Sequence, residues 1–101
     1  MPAPRSPAAD LFGRRVREAR VALGLSQEDI ANLADMHVTN YGRIERGEAN
    51  SELHTIVRIA TALDTDPGEL MAGLYGSEML PGRSRAYSVA DFIAAQRAQE
   101  S

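Results

Sequence analysis

Two short helical segments joined by a tight turn constrain the fold of this chain more than any other feature of its sequence. Ser26 and Asp29 have the spacing of a capping box, so a helix should begin at Gln27. Its apolar residues last for about two turns, up to Asp35, a residue type that tolerates the left-handed backbone of a sharp turn. The helical period then resumes at residue 38 and ends before Gly47. The sequence therefore predicts two helices, one short and the other over residues 38–46, separated by a turn of about three residues.

Further helices are predicted on both sides of this pair. Apolar residues recur at helical spacing over residues 10–23 and again over residues 53–63. A fifth helix should start at Pro67 and end near Gly76. Asp66 would be its N-cap, Pro67 its first helical residue, and Glu69 an acidic residue whose side chain reaches back to the helix start. No segment shows the alternation typical of a strand. We therefore expect an all-α fold built around five helices.

The chain is long enough for one small domain. Residues 1–9 contain three prolines and are expected to form a flexible leader, and residues 10–75 the helical domain. Residues 76–101 should be a loop followed by a C-terminal helix, because Ser88 and Asp91 form a capping box ahead of Val89. This sixth helix, ending near Gln99, could be a dimerisation element, could pack on its own bundle, or could fray.

Composition and charge limit the classes of function. The 101 residues include no cysteine, which excludes disulfides, thiol catalysis and zinc sites with Cys ligands. No apolar run is long enough to span a membrane, and the N-terminus lacks the apolar stretch of a secretory signal, so a cytoplasmic location is expected. The formal net charge is -3, yet residues 1–25 carry five Arg against two acids. A net negative protein can still bind nucleic acid through one locally basic face.

Two short helices at this spacing, preceded by one helix and followed by two, describe a helix-turn-helix unit inside a five-helix bundle. The segments Leu25-Ser26-Gln27-Glu28-Asp29-Ile30-Ala31 and Arg43-Ile44-Glu45-Arg46-Gly47 resemble the XRE-type, phage Cro and repressor-like DNA-binding domains. The resemblance covers about residues 10–74. It implies a repressor-like bundle that binds double-stranded DNA. Asp35 departs from the family pattern, which usually has Gly in the turn.

The helix at 38–46 would carry the residues that read bases if it lies in the major groove. Arg43 could form a bidentate pair with guanine, and Asn40 an analogous pair with adenine. Thr39 and Val38 could meet a thymine methyl or a phosphate, although Val38 could instead cover the edge of the core. The ordinary alternative for Arg43 is a solvated helix charge. The predicted base contacts are His37, Val38, Thr39, Asn40 and Arg43.

A second set of residues is predicted to contact DNA phosphates. Gln27 stands at the start of its helix, where backbone N–H groups favour an anion and the amide can donate to the same phosphate. Arg46 and Asn50 resemble the phosphate-contacting loop of the family, and Arg14 on the first helix is a further candidate. The alternative for Gln27 is a solvated side chain. The alternatives for Arg46 and Asn50 are a cation suited to a helix C-terminus and an ordinary turn residue.

Other residues in this region are interpreted as scaffold. Arg20 and Glu45 match positions that form an ion pair between helices in the family, a role that suits the planar guanidinium. Ala31 is small where the two short helices must cross closely. Gly42 is costly inside a helix, which suggests close approach of the backbone to DNA or to a neighbouring helix.

No constellation of catalytic residues can be assembled from this sequence. His37 and His54 lack the spacing and acidic neighbours of a metal site. No nucleophile set, phosphate-cradling glycine loop or paired carboxylates are found. We therefore expect no enzyme activity, no metal and no cofactor.

The sequence predicts a sequence-specific transcriptional regulator, acting as a homodimer on a near-palindromic DNA operator. One such module buries about 600–1,000 Å² on DNA, so two copies on half-sites about one helical turn apart are expected. A controller of restriction-modification genes would be a variant of this class. The alternative is an antitoxin of the same fold, which neutralises a protein toxin through residues 76–101 and regulates its own operon.

Overall fold

The structure is a computed structural model and describes residues 3–100. The helices are α1 (Pro7–Ala22), α2 (Gln27–Leu33), α3 (Val38–Glu45), α4 (Leu53–Ala62), α5 (Pro67–Met71) and α6 (Val89–Glu100), with a short 3-10 helix at Ser77–Met79. Residues 3–100 contain no strand. The predicted all-α fold with six helices is confirmed.

Helix α1 begins three residues earlier than the sequence predicts. The Ser6 hydroxyl accepts a hydrogen bond from the Ala9 backbone N–H, and Pro7 occupies the first turn, where its missing N–H costs nothing. The Arg5 backbone N–H donates to the carbonyl oxygen of Gly47 at 2.8 Å. Residues 5–9 are therefore part of the bundle rather than of the expected leader, whose first two residues lie outside the described part of the chain.

The junction between α2 and α3 has the predicted local geometry. Ser26 and Asp29 make both hydrogen bonds of a capping box, each close to 3 Å, at the start of α2. Asp35 adopts a φ of 57°, the left-handed conformation that turns the chain toward α3. His37 is the N-cap residue of α3, without a capping hydrogen bond from its side chain.

The core lies where α1 to α5 meet, and it includes residues from each of them. Tyr41 of α3 is fully buried against Val16 of α1, Ile30 of α2 and Ile59 of α4 in one cluster. Ala31 is fully buried too, as expected of a small residue at a close crossing. A Cβ at Gly13 would overlap the Ile44 carbonyl oxygen and lie 2.8 Å from that of Glu45, so glycine allows α1 to approach α3 closely.

Several apolar residues that follow the helical period do not enter this core. Leu33 at the end of α2 is 66% exposed, and on α4 Leu53 is 71% and Val57 45% exposed. The predicted apolar stripe of α4 is thus wider than the face that the other helices cover. The other helices therefore leave Leu53 and Val57 of α4 open to solvent.

The C-terminal part continues from the bundle as a loop and a helix. Arg15 donates to the carbonyl oxygens of Leu70 at 3.2 Å and Ala72 at 2.5 Å, which satisfies backbone groups where α5 ends. The Ser77 hydroxyl hydrogen-bonds both the N–H and the carbonyl of Ala86, closing the intervening loop. Every residue of the described α6 is exposed, Phe92 by 60%. Helix α6 therefore buries none of its residues against its own bundle.

Candidate nucleic-acid interface

The predicted base-reading residues are all exposed, at the start of α3 and along its outward side. Tyr41 and Ile44 are buried on the opposite side, because they share the face that packs on the core. Val38 is 43% exposed, so its side chain is not confined to the edge of the core. The exposed residues are His37, Val38, Thr39, Asn40 and Arg43, of which Val38 is exposed because it lies in the first turn, although it is on the same face as Tyr41. We name these five residues the α3 surface.

A cleft of about 340 Å³ lies beside the α3 surface. His37, Asn40 and Arg43 line one side of it, and the loop after α3 contributes Asn50. The structure thus brings three predicted base contacts and one predicted phosphate contact to the rim of one depression. Such a shape suits a nucleic-acid backbone that passes alongside a helix lying in a groove.

A buried ion pair fixes α3 relative to α1. Arg20 binds Glu45 through two parallel hydrogen bonds, Nε to Oε2 at 2.7 Å and Nη2 to Oε1 at 2.9 Å. The side chain of Glu45 is only 2% exposed and that of Arg20 13%. Burial by itself raises the pKa of Glu45, but the hydrogen bonds and charge of Arg20, together with the neighbouring polar groups of Tyr41 and Gln27, outweigh it, so this pKa lies below its ordinary value. The carboxylate therefore stays charged at neutral pH, as a scaffold for the site.

Gln27 belongs to this network in addition to its predicted position at the start of α2. Its Nε2 donates to Glu45 Oε1 at 2.9 Å, and the residue is half-buried. The amide is consequently held by a protein partner on one side. One N–H of the amide remains for another acceptor, because a primary amide has two.

The two arginines predicted to contact phosphates both lie beside carboxylates. Arg46 Nε pairs with Glu48 Oε2, and Arg14 Nε lies 3.4 Å from Asp10 Oδ2 one turn earlier on α1. Both arginines are exposed, so their remaining N–H groups can reach a ligand. The neighbouring acids reduce the local positive potential, since each places a unit of opposite charge within about 4 Å.

Two further residues of the cleft were not identified from the sequence. Thr55 and Arg58 line it from α4, and Arg58 Nη2 donates to Thr55 Oγ1 at 3.3 Å. The apolar period of α4 predicts a helix but carries no signal for the residues on its polar side. Glu48 was also missed, and its position two residues after a predicted phosphate contact was the only available signal.

Two classes of feature are not found in the described residues. No group of three or more His, Cys, Asp or Glu side chains between residues 3 and 100 is arranged to hold a metal ion. No helix in the same range combines the length and the apolar character needed to cross a membrane.

The helix-turn-helix domain family matches residues 11–74, which is more than half of the chain. The chain belongs to the helix-turn-helix family. The resemblance is thereby confirmed, and the match runs from residue 11 within α1 to the end of α5 without reaching α6. As a helix-turn-helix protein, the chain is a DNA-binding transcriptional regulator and not an enzyme, as the sequence predicted.

Two of the relatives within this family are controller proteins. The chain is 40% identical over 62 residues to control protein C.BamHI of Bacillus amyloliquefaciens, covering 60% of this chain and 76% of that protein. Among solved structures, the restriction-modification controller protein C.AhdI from Aeromonas hydrophila is 47% identical, with a TM-score of 0.60 over 61% of this chain and 94% of that one.

A more distant structure extends the likeness in fold beyond residue 74. The clp gene regulator ClgR from Corynebacterium glutamicum is 18% identical, with a TM-score of 0.64 over 96% of this chain and 87% of that one. This similarity concerns the fold alone.

Proposed function

We propose that this chain is a homodimeric regulator that binds a near-palindromic operator in cytoplasmic double-stranded DNA, with α3 in the major groove. The α3 surface makes the base contacts, while Gln27, Arg46, Asn50 and Arg14 contact phosphates. Arg43 donates to guanine, Asn40 pairs with adenine, and Thr39 or Val38 meets a thymine methyl or a phosphate.

The observation that carries this proposal is the exposure of the whole α3 surface. A recognition helix needs one face packed on its bundle and the other free to meet base edges. Helix α3 has such a division, because Tyr41, Ile44 and Glu45 are buried while all five residues of the α3 surface are exposed. The capped start of α2 and the Arg20–Glu45 pair hold this helix rigidly, as specific readout requires.

Uncovered apolar side chains support the homodimer. Leu53 and Val57 are exposed on α4, and Val89, Phe92 and Ile93 are exposed on α6. A second copy of the chain would remove part of this surface from water, a favourable change in free energy. Two modules also double the number of base pairs read, which one small module needs for high specificity.

The names of the relatives suggest the genes under control. C.BamHI is a control protein, and C.AhdI is a restriction-modification controller that is 47% identical over 61% of this chain. We propose that this chain regulates restriction-modification genes in the same way. The α3 surface would then recognise an operator near such genes.

Selection of binding sites from random DNA duplexes tests the proposal. We expect enrichment of two related half-sites whose centres lie about one helical turn apart, roughly 10–10.5 base pairs, with two chains bound to each duplex. No enriched sequence would contradict specific binding. A single enriched half-site bound by one chain would contradict the homodimer while leaving DNA binding intact.

The exposed apolar residues in the first half of α6 also favour a second candidate function, that of an antitoxin. In that case Val89, Phe92 and Ile93 would bind a protein toxin, and the α3 surface would regulate the operon. Co-expression with a reading frame adjacent to the gene separates the two functions. A stable complex with a small basic protein encoded there would support the antitoxin, whereas a self-standing dimer that binds an upstream palindrome would support the simple regulator.

A further inference from the structure

The side chains of Gln27 and Arg46 converge over the backbone of Gly42. A Cβ placed on Gly42 would lie 3.1 Å from Arg46 Nη1 and 3.4 Å from Gln27 Oε1. Gly42 is consequently buried although it lies on a short helix next to the exposed Arg43. Gln27 is the first residue of α2 and Arg46 is the C-cap residue of α3, so Gly42 lies where the two helices meet.

We infer that Gly42 is a positioning residue, which lets Arg46 and Gln27 bind one phosphate of the DNA backbone together while Glu48 anchors Arg46. The inference rests on the proposed DNA-binding function and specifies how two of its phosphate contacts are built. Gly42 itself touches no DNA in this arrangement.

The geometry of α3 explains why Arg46 reaches this place. Helical side chains lean toward the N-terminus, so a residue covers the position four places before it, which for Arg46 is Gly42. Glu48 binds the guanidinium through Nε, and its side chain is 13% exposed. Since a guanidinium has five N–H donors, the two terminal nitrogens remain for an anion.

The other half of the arrangement is fixed through Glu45. Gln27 donates one N–H to Glu45 Oε1, and Arg20 holds the same carboxylate. The Oε1 of Gln27 then lies on the side of Gly42 that Arg46 Nη1 also occupies, and the second amide N–H of Gln27 remains for another acceptor. The N–H groups of Gln27 and Arg46 that are not held by Glu45 and Glu48 suit the oxygens of a phosphate diester.

Gly42 has no other evident reason to be glycine. Its φ is not in the left-handed region, and glycine is a poor residue for a helix interior. The nearest atoms are the ends of two flexible side chains rather than backbone, so a methyl group would displace them without preventing folding. The expected consequence of that displacement is weaker DNA binding by a chain that is no less stable.

The test is Gly42→Ala, with Gly82→Ala as the matched control, because a Cβ at Gly82 meets nothing within 4 Å. Thermal unfolding and binding to a labelled duplex of mixed sequence are measured over a range of salt concentrations. We expect Gly42→Ala to unfold at or above the parent Tm, to bind about tenfold more weakly and to lower the salt slope by up to about one unit. Gly82→Ala should bind like the parent.

A double-mutant cycle with Arg46→Ala makes the test specific. In the Arg46→Ala background, Gly42→Ala should have little further effect on affinity, because the side chain that it displaces is gone. The inference is overturned if Gly42→Ala binds with the parent affinity and slope, if its loss is undiminished in that background, or if its Tm falls well below the parent value. A parent chain that binds no duplex would instead overturn the proposed function itself.

Discussion

Glu45 accepts two hydrogen bonds from Arg20 and a third from Gln27, so a single buried carboxylate connects α1, α2 and α3. The side chain of Glu45 is almost inaccessible to water. A buried charge of this kind is tolerated only when its partners are in place, because desolvation is costly. The relative placement of the two short helices, and with it the shape of the α3 surface, therefore depends on this carboxylate.

Replacing Glu45 by Gln should destabilise the fold at neutral pH by about 2–4 kcal/mol, because Arg20 loses its charged partner. The pKa of Glu45 is lowered from its ordinary value of 4.5 in the folded chain. The stability that ionised Glu45 contributes is therefore present above pH 4.5 and is lost as the pH falls through the lowered value. Urea unfolding of both chains at several pH values measures this contribution.

The difference in unfolding free energy between the parent and Glu45→Gln should accordingly shrink as the medium becomes acidic. The pKa of Asp29 is also lowered, chiefly by the Ser26 backbone N–H, but Asp29 is present in both chains and its contribution cancels. A difference that stays constant from neutral pH to well below pH 4.5 would show that the charge of Glu45 is unimportant.

Arg43→Ala should reduce specific DNA binding by about 1–3 kcal/mol and relax the preference at one base pair, with folding retained. The physical reason is the loss of a bidentate donor from the exposed side of α3. Binding to the selected operator and to its single-base variants measures the change. Arg83→Ala in the exposed C-terminal loop serves as a control of equal charge change. If Arg43→Ala discriminates between operator variants as well as the parent does, Arg43 does not read a base.

Arg46→Ala should weaken binding to all sequences alike and lower the salt slope by about one unit, because one phosphate contact is removed. This substitution also leaves the half-buried Glu48 without its partner. The partner of Arg14, Asp10, is more exposed, so Arg46→Ala should lose more affinity than Arg14→Ala. Titrations of both variants against the same duplex at several salt concentrations provide the comparison. An unchanged slope for Arg46→Ala would remove this residue from the phosphate contacts.

Asp35→Gly should stabilise the chain by about 0.5–1 kcal/mol, since glycine adopts a φ of 57° without the cost that a side chain carries. Asp64 has a φ of 56° and provides a second test of the same effect at a turn far along the chain. Urea unfolding midpoints of Asp35→Gly and Asp64→Gly, compared with the parent midpoint, measure the change in stability. A gain at Asp64 alone would mean that the carboxylate of Asp35 stabilises the turn between α2 and α3.

Local sequence was sufficient for the helices and for the turn that joins α2 to α3. These features depend only on neighbours a few residues away, so the sequence alone predicts them. They are the capping boxes at Ser26 and Ser88, the proline at position 67 and the left-handed Asp35. The division of α3 into a buried and an exposed face follows from the same helical period. The family resemblance added the Arg20–Glu45 pair, which the period alone does not indicate.

Tertiary structure decided what long-range contacts control. It placed residues 5–9 in the bundle through the Arg5–Gly47 hydrogen bond, and it left Leu53 and Val57 exposed because the neighbouring helices do not cover that side of α4. It also explains two glycines. Gly13 allows α3 to lie close to α1, and Gly42 leaves room for the side chains of Gln27 and Arg46. Amphipathic spacing shows which residues can be buried, whereas only the packing of all helices determines which residues are covered.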